Sequence, residues 1–80
     1  MERKLVQAVA STIRHFRKLA EISQEALADK ADLDRTYISG IERGVRNITL
    51  DSLEPIITAL NVDVQTFFSK VSEEFNELSH

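Results

Sequence analysis

Residues 23–44 read Ser23-Gln24-Glu25-Ala26-Leu27-Ala28-Asp29-Lys30-Ala31-Asp32-Leu33-Asp34-Arg35-Thr36-Tyr37-Ile38-Ser39-Gly40-Ile41-Glu42-Arg43-Gly44. Ser23 offers an N-cap to a short helix from Gln24 to Ala31, whose apolar side is Leu27, Ala28 and Ala31. Asp32-Leu33-Asp34 has room only for a tight reversal. Asp34 caps a second helix from Arg35 to Arg43, with Ile38 and Ile41 turned inward and Gly44 as the natural C′ residue. Ala28 and Ala31 are small where two steeply crossing backbones must meet, and Leu33 and Ile38 plug the space between. A short helix, a turn of about three residues and another short helix is a helix-turn-helix, here residues 23–43. Such a unit holds its second helix out from the body.

The outward face of that second helix follows from its pitch. At about 100° per residue, Ile38 and Ile41 define the buried side. Thr36, Ser39, Gly40 and Arg43 then lie opposite, flanked by Arg35 and Tyr37. The face is small in the middle and polar at both ends, a profile suited to a groove. Gly40 in mid-helix costs about 1 kcal/mol relative to Ala, so a close backbone approach is expected there. Glu42 lies about 40° from the Ile38 direction, near the edge of the buried side. A carboxylate there wants a cation, and Arg17 in the first helix is the candidate.

Outward from this unit the chain is helical at both ends. Leu5, Val9, Ile13, Phe16 and Ala20 make a helical stripe over Lys4 to Ala20. Residues 45–48 form a loop. Thr49 caps a fourth helix with Leu50, Leu53, Ile56, Ile57 and Leu60. Pro55 either kinks it or belongs to the first turn of a later start capped by Ser52. Asn61 ends it, and Asp63 caps a fifth helix carrying Val64, Phe67, Phe68, Val71, Phe75 and Leu78. No stretch reads as a strand. The expected fold class is all-α, five helices in a single domain over residues 1–80.

Composition limits the function. There are no cysteines, hence no disulfide framework and no Cys-based zinc site. His15 and His80 are too far apart to suggest a metal site, and His15 reads as surface or inter-helix packing. No HExxH, glycine-rich phosphate loop or nucleophile set is present, so neither an enzyme nor a cofactor is expected. Glu73 and Glu74 read as a solvated face. No apolar run is long enough to span a membrane and no secretory signal is visible, so a cytoplasmic location is expected. The net charge of −3 argues against a purely electrostatic nucleic-acid binder. It hides an asymmetry. Residues 1–47 hold nine Lys/Arg against seven acids, and residues 48–80 hold one Lys against six. An anionic partner would face the first half.

The stretches Ile13-Arg14-His15-Phe16-Arg17, Ile22-Ser23-Gln24-Glu25-Ala26-Leu27-Ala28 and Tyr37-Ile38-Ser39-Gly40-Ile41-Glu42-Arg43-Gly44 resemble the Cro/cI-type (Xre-type) helix-turn-helix regulators of bacteria and phages. With helices one and four, the resemblance covers about residues 5–62. Within that family, Leu33 to Arg43 followed by Arg46-Asn47 looks most like the controller proteins of restriction–modification systems. The resemblance implies a lambda-repressor-like DNA-binding fold and a transcriptional regulator. Gln24 would bind a phosphate, Arg35 and Thr36 would reach base edges, and Tyr37, Ser39, Arg43, Arg46 and Asn47 would complete the DNA-binding surface. Arg17 and Glu42 match a structural ion pair of the family. The family usually has Gly where Glu21 stands and near Asp32. The first turn is therefore expected to differ, while Asp32 should tolerate a left-handed backbone.

The fifth helix carries more large apolar residues than four short helices can cover. A two-fold homodimer is expected on residues 63–78, through Phe67, Phe68, Val71 and Phe75. Its partner would be duplex DNA with a palindromic operator, RNA polymerase being a further candidate partner and a membrane none. The alternatives are an antitoxin-type or phage-type repressor and, in a different class, a protein-interaction module that retains the fold.

Overall fold

Five α-helices make up the computed structural model, which describes residues 3–79, and capping side chains set the starts of four of them. The five are α1 (Lys4–Leu19), α2 (Gln24–Ala31), α3 (Arg35–Glu42), α4 (Leu50–Ala59) and α5 (Val64–Leu78), with no strand among the described residues. Ser23, Asp34, Thr49 and Asp63 each accept a backbone N–H of the first turn of α2, α3, α4 and α5. Thr49 is thus the cap of α4, and Pro55 lies inside that helix. Its ring nitrogen withholds one donor from the Asp51 carbonyl, and the helix runs on past it.

Left-handed residues reverse the chain after four of the helices. Glu21 (φ 57°), Asp32 (φ 57°), Gly44 (φ 73°) and Asn61 (φ 60°) all take positive φ. After α3, Gly44 N–H donates to the Ile41 carbonyl and Val45 N–H to the Gly40 carbonyl, so both exposed carbonyls are satisfied. After α2, Leu33 N–H reaches back to the Ala28 carbonyl at 2.9 Å. After α1, Glu21 N–H bonds the Lys18 carbonyl and Ile22 N–H the Arg17 carbonyl. The turn before α2 therefore keeps the left-handed geometry without a glycine, against the expectation from its glutamate.

One apolar cluster joins all five helices. Ile13 from α1, Leu27 from α2, Ile38 from α3, Ile56 from α4 and Phe67 from α5 are at 0% exposure. α1 packs mainly on α5, and α2 sits between α3 and α4. The stripe expected on α1 is trimmed at both ends: Leu5 and Ala20 are exposed, while Ala8, Ala10 and Thr12 are buried. Thr12 satisfies its hydroxyl by donating to the Ala8 carbonyl at 2.8 Å. His15 is half-buried and meets Phe16 edge-on.

Two of the residues assigned to a dimer seam lie in the core instead. Phe67 is fully buried and stacks on Phe16, and Val71 is buried beside the same cluster. They fall on the flank of α5 that faces α1. Phe68 (41% exposed) and Phe75 (36% exposed) lie on the other flank with Val64, while Leu78 lines a groove with Gln7, Ser11 and Arg14 of α1. Glu74 is also displaced from its expected place on a solvated face. It is half-buried and accepts the Ser11 hydroxyl at 2.9 Å, tying α5 to α1.

Candidate nucleic-acid interface

The N-terminal turn of α3 is the most open part of the helix-turn-helix. The Asp34 carboxylate accepts Thr36 N–H at 2.7 Å, which fixes where the helix begins. Arg35 and Thr36 follow at once, both exposed. Ile38, Ile41 and Glu42 are buried on the opposite side. Arg35, Arg43 and Arg46 are exposed and take part in no ion pair among the described residues. Their guanidinium groups remain available to phosphates or base edges.

The loop after α3 folds back against it. The Arg46 guanidinium carbon sits 5.3 Å from the centre of the Tyr37 ring, a cation–π contact. The Tyr37 hydroxyl donates to the Asn47 carbonyl at 3.4 Å. Arg3, at the start of α1, donates to the Asn47 side-chain oxygen. Arg43 bends over the end of its own helix, its Nε 3.4 Å from the Ser39 carbonyl. Arg35, Thr36, Tyr37, Ser39, Arg43, Arg46 and Asn47 therefore occupy one helix and the loop that closes on it. Ser39 is only half-exposed. Gly40 is buried, contrary to its assigned outward position, because the Arg46 side chain covers it.

Behind this surface, Glu42 collects donors from two other helices. Its carboxylate is 3% exposed and accepts Arg17 Nε at 2.6 Å on one oxygen. The other oxygen accepts Arg17 NH2 at 2.9 Å and Gln24 Nε2 at 3.1 Å. The remaining Arg17 nitrogen donates to the Ile22 carbonyl at 2.9 Å. Such a fork-to-fork pair is strong and directional. The bond to Glu42 raises the pKa of Arg17 above its ordinary value, so the guanidinium keeps its charge. Gln24 begins α2, and its amide has two hydrogens. One is held by Glu42, leaving the other for an anion near that helix N-terminus.

Two basic residues escaped the sequence reading. Arg14 donates to the Glu42 backbone carbonyl at 2.7 Å, capping the C-terminal end of α3 with a cation. It sits three residues before Arg17, so the shared face of α1 was a usable signal. Arg3 lies 44 residues from Asn47, and nothing local marks their contact.

Comparison with known proteins agrees with this geometry. A helix-turn-helix family profile matches residues 13–67. The control protein C.MunI of Mycoplasma sp is 44% identical over 54 residues, 68% of this chain and 73% of that protein. The control protein C.SmaI of Serratia marcescens is 38% identical over 64 residues, 80% of this chain and 76% of the other. Among solved structures, the wild-type restriction–modification controller protein C.Esp1396I superposes with a TM-score of 0.88 at 45% identity, covering 91% of this chain and 96% of that one. The same controller, as a tetramer in complex with its natural 35 base-pair operator, gives a TM-score of 0.88 at 44% identity, covering 92% and 97%. The chain therefore belongs to the helix-turn-helix family of DNA-binding transcriptional regulators, in its Xre-type branch, and is similar to the controller proteins of restriction–modification systems.

Proposed function

We propose that the protein binds a palindromic duplex operator as a homodimer and controls its own gene together with neighbouring restriction–modification genes. The observation that carries this reading is the exposed, unpaired Arg35 beside Thr36 at the free end of α3. In the major groove, the Arg35 fork can take guanine O6 and N7 together, and Thr36 can bond a base edge or touch a thymine methyl. Arg43 and Arg46 flank that point as phosphate partners, with the free Gln24 amide hydrogen at the start of α2. RNA polymerase joins as a partner where the bound protein activates rather than represses.

The exposed side of α5 supplies the dimer seam. Val64, Phe68 and Phe75 stand within about 40° of one another around that helix. Beside them a groove of about 500 Å³ runs between α4 and α5, lined by Leu50, Ile57, Val62, Val64 and Phe68 among others. Two recognition helices about 34 Å apart would read successive turns of the groove. The acidic second half then lies away from the phosphates.

Fluorescence anisotropy with the duplex upstream of the protein's own gene tests the reading. Wild-type protein should bind it well ahead of a scrambled duplex, with each neutralised phosphate adding about 0.9 to the salt slope. Arg35→Ala should cost roughly 1–3 kcal/mol and relax preference at one base per half-site. Equal binding of scrambled and upstream duplexes, or an Arg35→Ala protein unchanged in both affinity and preference, would reject it.

A further inference from the structure

We propose that Gly40 is the seat of Arg46, a positioning residue whose missing side chain lets the Arg46 stem lie across α3 and sets its guanidinium at the edge of the DNA-reading surface. The inference rests on the DNA-binding role argued above and deepens it at a residue that does not itself touch DNA.

A β-carbon built on Gly40 would overlap Arg46 Cγ, with Arg46 Cβ and Cδ each 3.5 Å away. The middle of the arginine stem, not its flexible tip, occupies the space that any other residue would fill. Cγ can leave only by a change in χ1 of Arg46 or a shift of the loop, and either carries the head group off Tyr37. The contact of that head group with the ring, 5.3 Å from guanidinium carbon to centroid, is the other end of the same clamp. The Tyr37 hydroxyl holds the loop through the Asn47 carbonyl. Gly40 lies inside α3 and is buried, and its φ is not in the left-handed region. Backbone freedom therefore does not explain a glycine there. Alanine is a far better helix former at such a position. What the glycine permits is the approach of Arg46. A pre-placed arginine surrenders little rotamer freedom when it meets an anion, which favours binding.

The test separates stability, seating and DNA binding. In the full chain, Gly40→Ala should leave the thermal midpoint unchanged or raised. It should abolish the ring-current displacement of the Arg46 side-chain proton resonances, read by NMR without DNA. Operator affinity should fall roughly five- to tenfold. In an Arg46→Ala background, the same substitution should change operator affinity no further, since the colliding stem is gone. Retained Arg46 shifts in Gly40→Ala would overturn the proposal, as would an equal affinity loss in both backgrounds. A lowered midpoint with the shifts intact would also overturn it, because the methyl would then be striking the core. If wild-type protein bound no duplex, the DNA-binding role would fail, and the ring-current arm would still decide the seat.

Discussion

Replacing Arg17 by Met should destabilise the protein far more than loss of a surface charge. Met keeps most of the apolar stem but removes every nitrogen that meets Glu42. The pair is not a surface pair: Arg17 is 13% exposed and Glu42 3%. Without Arg17, the carboxylate keeps one side-chain donor, the Gln24 amide at 3.1 Å. The Ile22 carbonyl also loses its arginine donor. Stranding one member of a buried pair costs 3–5 kcal/mol, and the slight exposure of Arg17 places this case near the lower end, about 3 kcal/mol. A domain of this size holds roughly 4–12 kcal/mol in all, so the loss is a large share of the total. The thermal midpoint should drop by roughly 12–24 °C. Urea unfolding followed by circular dichroism measures it. The companion variant Arg17→Met/Glu42→Met should recover much of the loss, since no charge is then left buried. A single variant less than about 1 kcal/mol below wild type, or a double variant equal to the sum of two singles, would refute the argument.

Three further outcomes are expected. Glu21→Gly should raise stability by about 0.5–1 kcal/mol, because relief of a left-handed non-glycine backbone outweighs the greater freedom of the unfolded glycine, and the thermal midpoint reports it. Asp63 accepts Thr66 N–H at 2.7 Å, and this bond holds its carboxyl below the ordinary range. A depressed carboxylate contributes stability above its unfolded value that is lost as pH falls through the folded one. Acid unfolding should therefore lose part of its pH dependence in Asp63→Asn, read from midpoints across the acid range. Phe68→Ser should leave the fold intact by circular dichroism while shifting the protein toward monomer in sedimentation at micromolar concentration; an unchanged dimer would move the seam elsewhere.

The helix-turn-helix was legible because its signals are local. Ser23 and Asp34 cap, Ala28 and Ala31 are small, and Ile38 and Ile41 repeat at helical spacing. Thr49 and Asp63 were readable for the same reason. The Arg17–Glu42 contact could be anticipated because a carboxylate near a buried edge requires a cation. Less legible were features set by tertiary packing. Periodicity put Phe67, Phe68, Val71 and Phe75 on one stripe of α5, but only the position of α1 divides that stripe into a buried and an exposed flank. Gly40 was placed by the pitch of α3 alone, and the loop that returns over it carries no periodic signal. The turn at Glu21 went against the expectation because neighbouring packing imposes a backbone its side chain disfavours.

The donors gathered at Glu42 make α3 a cantilever. Arg14, Arg17 and Gln24 all fasten it at its C-terminal end. The reading end has its cap at Asp34, the contacts of Tyr37 with Arg46 and Asn47 in the exposed loop, and the apolar bed beneath Ile38 and Ile41. From Glu42 to Arg35 the lever is about 10 Å long, so a tilt of roughly 5° at the clamp displaces the Arg35 backbone by about 1 Å. A bidentate hydrogen bond tolerates only a few tenths of that. On the proposed role of Arg35, base selection is therefore sensitive where no base is near, at the residues that grip the far end of the beam.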